Sequence, residues 1–308
     1  MFRKLDLAVA AVLGVGIALP ASADIRVFAC EPEWAALARE VGGARIEAFS
    51  ATHARQDPHH IRARPSLIAS MRRSDLLFCS GGGLEVGWLP ILLQQGASAN
   101  LQPGRRGNLM AAEHVAVLEK PAVLDRSLGD IHPEGNPHVH LDARNIVPLA
   151  RELALRLADS DGANAAAYRK QAEDFAREWA RSLAAWEERA KKLKGMPVIA
   201  HHKSWAYLFQ WLGLKEVATL EPRPGIQPTP GHLADLLRLS RAQPVKAILR
   251  TPYDSPEASD WLSARTGIPV LTLPYTVGVD AGPGALRTLF DETISRLEGA
   301  HSRSNAER

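Results

Sequence analysis

Short apolar runs alternate with amphipathic stretches in both halves of this chain. The apolar runs predict buried β-strands at Ile25–Ala29, Ile46–Ser50, Leu76–Cys79, Val115–Leu118, Val198–Ala200, Val217–Leu220, Ala247–Arg250 and Val270–Leu273. The stretches between them predict α-helices at Glu33–Val41, Pro65–Met71, Trp205–Trp211, His232–Leu239 and Glu257–Arg265. Such alternation is typical of parallel sheets whose strands are connected by helices. We therefore predict an α/β fold of two lobes, each a parallel sheet flanked by helices.

The middle of the chain has a different pattern. Asp142 has the residue type of an N-cap, and a helical stripe follows it until residues 159–162 interrupt the pattern. Apolar residues then step by three or four along a second, longer stripe: Tyr168, Ala172, Phe175, Trp179, Leu183, Trp186 and Ala190. At 1.5 Å per residue this stripe spans roughly 33 Å, about the length of a small domain. A coiled-coil dimer arm needs three to four heptads, more than this stripe provides. We expect a monomer in which one long rigid helix joins the lobes.

The N-terminus has the pattern of an export signal. Arg3 and Lys4 precede an apolar stretch from Leu7 to Leu19, and Ala21-Ser22-Ala23 follows. The alternative is an uncleaved membrane anchor, but the apolar stretch has about 13 residues and a bilayer requires about 20. A lipid-anchored protein would carry its cysteine at the cleavage point, whereas Cys30 lies further on. We expect a signal peptide and a soluble periplasmic protein with no membrane insertion.

These patterns predict five segments. They are a signal peptide at residues 1–23, an N-terminal α/β lobe at 24–160, a linking helix at 161–194, a C-terminal α/β lobe at 195–300 and a solvated tail at 301–308. The formal net charge of the whole chain is only +3. This small charge gives no basis for binding nucleic acid or an anionic membrane.

The chain has two cysteines, Cys30 and Cys79, and each ends a predicted strand. In an oxidising compartment they are able to form a disulfide. Burial as two free thiols fits the sequence equally well. A zinc-thiolate site is disfavoured, because the chain has no Cys-x-x-Cys spacing.

Histidines occur in three short segments that follow predicted strands. These are Asp57–His60, Asn136–His140 and Ala200–Lys203. Imidazole suits zinc and its first-row neighbours. Ligands of open α/β sheets bind outside the carboxyl ends of the strands, so the three segments suit one shared cleft. Because two segments fall in the first lobe and one in the second, we predict a metal held between the lobes.

The ordered motifs resemble those of the zinc- or manganese-binding solute receptors of ABC importers, over about residues 25–297. The matching stretches are Asp57-Pro58-His59 with Arg64-Pro65-Ser66, Gly135–Asp142, and His202–Leu208. The resemblance implies two lobes joined by a rigid helix, with His59, His138 and His202 as metal ligands. It implies that His60, His140 and His201 are outer partners of those ligands or solvated side chains. It also implies a membrane permease, driven by a cytoplasmic ATPase, as the partner.

The fourth ligand is less clear from the resemblance. Family members often supply an Asp after the last strand, but the corresponding position here is Ala285. We expect Asp280 to take that role, with a water as the alternative. Manganese-selecting members tend to place a carboxylate where His202 stands, so three imidazoles favour Zn²⁺ as the bound cargo over Mn²⁺.

A secreted zinc-dependent hydrolase is the main alternative. Three protein ligands plus a water also form a catalytic zinc site, and His138-Val139-His140 resembles the His-x-His of metal-dependent amidohydrolases. The chain has no His-Glu-x-x-His motif, and the glycines at 81–83 lack the Gly-Lys-Ser/Thr of a phosphate loop. We therefore expect no enzyme activity. A periplasmic metallochaperone or a surface adhesin would use the same site with a different partner. Four histidines stay unassigned: His53, His114, His132 and His232.

Overall fold

The protein is described by a computed structural model that covers residues 25–121 and 132–306. The predicted signal peptide at residues 1–23 lies outside the described residues. In the part of the chain that is described, no helix is both long enough and apolar enough to cross a membrane.

Two four-stranded parallel sheets form the centres of the two lobes. The first has the order β2-β1-β3-β4 and the second the order β6-β5-β7-β8. Their strands are β1 (Ile25–Ala29), β2 (Ile46–Ser50), β3 (Leu76–Cys79), β4 (Asn108–Met110), β5 (Pro197–Ala200), β6 (Lys215–Thr219), β7 (Ala247–Arg250) and β8 (Val270–Thr272). In each sheet the chain reverses its winding between two neighbouring central strands, β1 and β3 or β5 and β7. Such a reversal leaves a crevice at the carboxyl ends of those strands.

Helices flank both sheets, as the alternating pattern predicts. They are α1 (Pro32–Gly42), α2 (Pro65–Arg73), α3 (Leu89–Gln95), α4 (Ile146–Ser160), α5 (Ala165–Ala190), α6 (Ala206–Leu212), α7 (Pro230–Ala242), α8 (Glu257–Thr266) and α9 (Ala285–Ala306). Several begin with proline in the first turn, where the missing N–H costs no hydrogen bond. The two-lobed α/β prediction is confirmed.

The long helix α5 links the lobes and is buried along the predicted stripe. Trp179 and Trp186 from this helix pack against Phe290 of α9. One hydrophobic core includes Val27 of the first sheet, these residues and Val198 of the second sheet. The two lobes therefore share a continuous core, which resists large rigid-body movements.

One predicted strand is wrong. Residues 115–118 form no strand; the fourth strand of the first sheet is β4, which pairs with β3. The apolar residues at 115–118 instead pack against the shared core, and the backbone N–H of Leu118 donates to the hydroxyl of Tyr207 in the other lobe. In the expected tail, α9 continues to Ala306, with Ser302 and Arg303 exposed.

Cys30 and Cys79 form a disulfide between the carboxyl ends of β1 and β3. The two strands are neighbours in the sheet, and the Cα atoms of the cysteines are 4.8 Å apart. The alternative of two free thiols is excluded for this structure. The disulfide lies at the winding reversal of the first sheet, beside the loops that carry the histidines.

Candidate metal centre

Three histidines from separate segments converge between the lobes. His59, His138 and His202 each offer a ring nitrogen, and these nitrogens all lie within 4.8 Å of one another. The ring centroids are 5.4 Å apart for His59 and His138, 5.5 Å for His59 and His202, and 5.8 Å for His138 and His202. The three ligand residues expected from the sequence therefore meet in one place.

His59 is held by the residue that begins its own turn. Asp57 caps the short 3₁₀ turn Pro58–His60 and accepts a hydrogen bond from the backbone N–H of His59 at 3.0 Å. The same carboxylate lies 2.7 Å from Nδ1 of the His59 ring. Burial alone would raise the pKa of Asp57, but these hydrogen bonds and the nearby imidazoles lower it. Asp57 is therefore an anionic acceptor that fixes the ring of His59.

His138 is the most enclosed of the three, with 1% of its surface exposed. Its Nδ1 lies 2.8 Å from the hydroxyl of Tyr275, which follows β8 in the second lobe. Its Nε2 is buried and has no hydrogen-bond partner among the described residues. Burial, reinforced by the neighbouring imidazoles, holds the pKa of His138 well below its usual value. The ring is therefore neutral, with a nitrogen directed into the cluster.

His202 follows β5, where the carboxyl end of the strand faces the cleft. Its Nδ1 lies 2.7 Å from the carboxylate of Glu221, which in turn accepts from the backbone N–H of Gly225 at 2.9 Å. Burial lowers the pKa of His202, but the hydrogen bond and the charge of Glu221 outweigh burial and raise it. Protons therefore compete most strongly at this histidine.

The three rings share one arrangement. Each uses Nδ1 to contact a fixed oxygen atom, on Asp57, Tyr275 or Glu221. Outer partners of this kind set the ring orientation of metal-binding histidines and raise their basicity. Nε2 of each ring is thereby left to face the centre. None of these three oxygen partners was assigned from the sequence.

A fourth histidine, His132, also reaches this place. Its Nε2 lies 3.3 Å from Nε2 of His59, and its ring centroid is 5.3 Å from that of His59 and 6.5 Å from that of His138. Burial and the neighbouring imidazoles lower the pKa of His132 to about 4, so the ring is neutral. Its position in the loop before His138 was the only sequence signal, and no motif marked it.

Asp280 does not join the cluster, contrary to expectation. Its side chain is exposed, and the loop that carries it packs against α1. Arg39 donates to the carbonyl of Ala281, and Glu40 accepts from the backbone N–H of Gly284. Tyr275, five residues earlier, is the residue of this loop that contacts the histidines. The Gly/Pro-rich stretch thus carries Asp280 away from the site.

The remaining histidines of the three motifs have different surroundings. His140 is buried; its Nε2 lies 3.0 Å from the carbonyl of Tyr275, and its Nδ1 lies 3.3 Å from Glu33. His60 is exposed and lies 3.9 Å from Asp57. His201 is buried, and its backbone N–H donates to Leu249 of β7. His140 therefore supports the site from outside the cluster of converging rings.

A cavity of about 100 Å³ adjoins the cluster. His59 and His202 form one wall, and Asp57, Glu221 and Asp254 supply carboxylates around it. Carboxylates that surround a small enclosed space create a negative potential. The space therefore favours a cation.

Comparisons with known proteins identify similar sequences. The metal ABC transporter substrate-binding lipoprotein ScbA of Streptococcus cristatus is 21% identical over 267 residues, which cover 84% of this chain and 82% of that protein. A manganese ABC transporter substrate-binding lipoprotein, scaA of Streptococcus gordonii, is 24% identical over 157 residues, covering 50% of this chain and 47% of that protein.

Solved structures show the same fold. A crystal structure of ZnuA superposes with a TM-score of 0.75 at 18% identity and covers 90% of this chain and 99% of that chain. The solute-binding protein FpvC of Pseudomonas aeruginosa, in complex with Mn²⁺, gives a TM-score of 0.74 at 20% identity and covers 91% of this chain and 99% of that chain. The family model of the zinc-uptake complex component A, periplasmic (ZnuA), matches residues 27–297. The chain therefore belongs to the ZnuA family of metal-binding solute receptors.

Proposed function

We propose that this protein captures Zn²⁺ in the periplasm and delivers it to the membrane permease of an ABC importer. One observation carries the proposal: three imidazoles converge between two lobes, and each has its Nδ1 held by a fixed oxygen atom. Rings anchored in this way require little reorganisation when they bind a metal. The carboxylates around the adjoining cavity further favour a divalent cation.

The choice of zinc rests on the donor atoms. Nitrogen ligands suit zinc and the later first-row metals, whereas manganese prefers a shell rich in carboxylate oxygen. Among the described residues, Asp57 and Glu221 lie within hydrogen-bond distance of ligand histidines and accept hydrogen bonds from them. They therefore stabilise imidazole ligands and leave the inner shell to nitrogen. Manganese remains the competing cargo, since relatives with that metal in their names share the fold.

The same contacts weigh against the hydrolase alternative. A catalytic zinc site needs a carboxylate or histidine free to accept a proton from the bound water. Asp57 and Glu221 each already bond to a ligand ring, and Asp254 accepts from the backbone N–H of Thr251. The protein is therefore better suited to hold a metal than to activate a water.

Metal titrations with single variants test the proposal. We expect one equivalent of Zn²⁺ per metal-free chain in competition with a chromophoric chelator, and Zn²⁺ bound more tightly than Mn²⁺. His59→Ala, His138→Ala and His202→Ala should each weaken zinc binding about 100-fold or more, since each removes one inner ligand. His53→Ala is the matched control, because His53 is exposed and outside the cluster.

Unchanged affinity in all three ligand variants would show that the interlobe site is not the binding site. Tighter binding of Mn²⁺ than of Zn²⁺ would reassign the cargo. Deletion of the gene should lower zinc accumulation by cells grown with little zinc, and normal accumulation would argue against the transport role.

A further inference from the structure

We infer that His132 supplies the fourth ligand and completes a shell of four imidazoles. The inference rests on the proposed function, because it concerns the same metal. It replaces the carboxylate expected after the last strand with a nitrogen donor from the first lobe. The inner shell then contains His59, His132 and His138 from one lobe and His202 from the other.

The distance between two nitrogens is the first argument. Nε2 of His132 and Nε2 of His59 are 3.3 Å apart. In a tetrahedral site with Zn–N bonds of 2.0–2.1 Å, two ligand nitrogens lie about 3.3–3.4 Å apart. This pair therefore already has the separation of two ligands on one zinc ion. The ring nitrogens of His59, His138 and His202 lie within 4.8 Å of one another, and His132 adjoins this group on the side of His59.

The second argument is the orientation of the His132 ring. Its Nε2 faces Nε2 of His59, whereas its Nδ1 lies on the side of Gly83. Nε2 is therefore the nitrogen that faces the cluster. Gly83 has a φ of +87°, a backbone conformation that glycine adopts readily.

The turn that presents Gly83 is itself fixed. Glu85 accepts hydrogen bonds from the backbone N–H groups of Ser80, at 2.8 Å, and Gly81, at 3.1 Å. The disulfide from Cys79 ties the start of the turn to β1. The Nδ1 side of His132 therefore lies against a fixed turn.

The carboxylates near the rings among the described residues have other partners. Asp280 is exposed on a loop that packs against α1, Asp57 and Glu221 are hydrogen-bonded to ligand histidines, and Asp254 accepts from the backbone N–H of Thr251. His132 is the described side chain whose ring nitrogen lies 3.3 Å from Nε2 of His59. An all-nitrogen shell should increase the preference for zinc over manganese.

The test compares two variants with a control. His132→Ala should weaken zinc binding by at least about 10- to 100-fold, the loss that removal of an outer partner of a ligand already causes. It should also shift the visible absorption of the Co²⁺-substituted protein, because one nitrogen donor is lost. Asp280→Ala and the control His53→Ala should change neither quantity. His132→Asp should lower the ratio of zinc to manganese affinity about tenfold, because it introduces an oxygen donor.

X-ray absorption of zinc in the unmodified protein counts the imidazole ligands on the metal without any variant. Four imidazoles on the metal would support the inference, and three imidazoles with one oxygen would overturn it. Unchanged zinc affinity in His132→Ala, together with large losses in His59→Ala and His202→Ala, would overturn the inference and leave the proposed function intact. Unchanged affinity in all of these variants would overturn both.

Discussion

At the scale of single residues, the outer partners of the histidines decide how the site responds to protons. His138 and His132 have lowered pKa values and stay neutral, whereas the pKa of His202 is raised above its ordinary value of 6.5 by Glu221 despite the opposing effect of burial. A metal binds only the neutral ring. Zinc affinity should therefore fall as the pH falls through the raised pKa of His202.

Glu221→Gln tests this dependence. The variant loses the negative charge that raises the pKa of His202, so burial lowers that pKa and zinc release should shift to a lower pH. At neutral pH the variant should bind zinc about 10- to 100-fold more weakly, because the ring becomes less basic and less well oriented. Zinc titrations from about pH 5 to 8, the range over which histidine ordinarily titrates, measure both effects. An unchanged pH midpoint would contradict this assignment.

The sequence identifies only part of the site at this scale. His59, His138 and His202 could be predicted, because each lies in a motif that follows a strand. Tyr275 and Glu221 could not, since they approach the rings from loops whose paths depend on tertiary packing. The prediction of Asp280 failed for the same reason: closeness to the last strand along the chain does not fix the direction of a Gly/Pro-rich loop.

At the scale of elements, periodic patterns predicted seven of the eight strands and the long helices, but they missed β4 and the short helix α3. The stripe on α5 is long enough to determine both its length and its buried face. β4 has only three residues, with Asn108 inside it, and a more apolar stretch at 115–118 obscured it. That stretch is apolar because it packs against the core between the lobes, and hydrophobicity alone does not distinguish such packing from strand pairing.

The contribution of α5 to the stability of the fold can be measured with Trp179→Ala. Trp179 is 0% exposed, contacts Trp186 and Phe290, and donates from Nε1 to the carbonyl of Ala143 at 2.8 Å. Its removal should lower the free energy of unfolding by about 3–5 kcal/mol, through lost packing and a cavity. Urea unfolding of the metal-free protein measures this change.

Trp261→Ala is the matched control, because that ring lies under Arg265 and is only partly buried. It should cost clearly less stability than Trp179→Ala. Equal losses in the two variants would show that α5 is not a central support of the fold.

At the scale of the whole molecule, a buried acid pair beneath the glycine turn links stability to pH. Burial raises the pKa of Glu85 from 4.5 to about 7 and also raises that of its neighbour Glu31. Below pH 4.5 Glu85 is protonated in both the folded and the unfolded chain. Folding then buries a neutral carboxyl group, so no free energy is spent on burying a charge. Between pH 4.5 and 7 only the unfolded chain releases it, so stability should fall by about 3 kcal/mol.

Glu85→Gln should therefore reduce this loss of stability, because the amide is uncharged in both states. Unfolding of the metal-free variant at about pH 5 and pH 7 measures the difference. The exposed Glu113→Gln is the control and should behave like the unmodified protein. An equally large fall in stability in Glu85→Gln would rule out Glu85 as its source.

Tyr275 links the orientation of the histidine cluster to the distance between the lobes. It comes from the second lobe, yet its hydroxyl orients His138 and its carbonyl contacts His140, both in the first lobe. Hydrogen bonds weaken steeply with distance, so a separation of about 1 Å at this point would break both contacts. A permease that pulls the lobes slightly apart would thus loosen a ligand that it never touches. A small displacement of the lobes would then weaken metal binding at neutral pH, without protonation of a ligand.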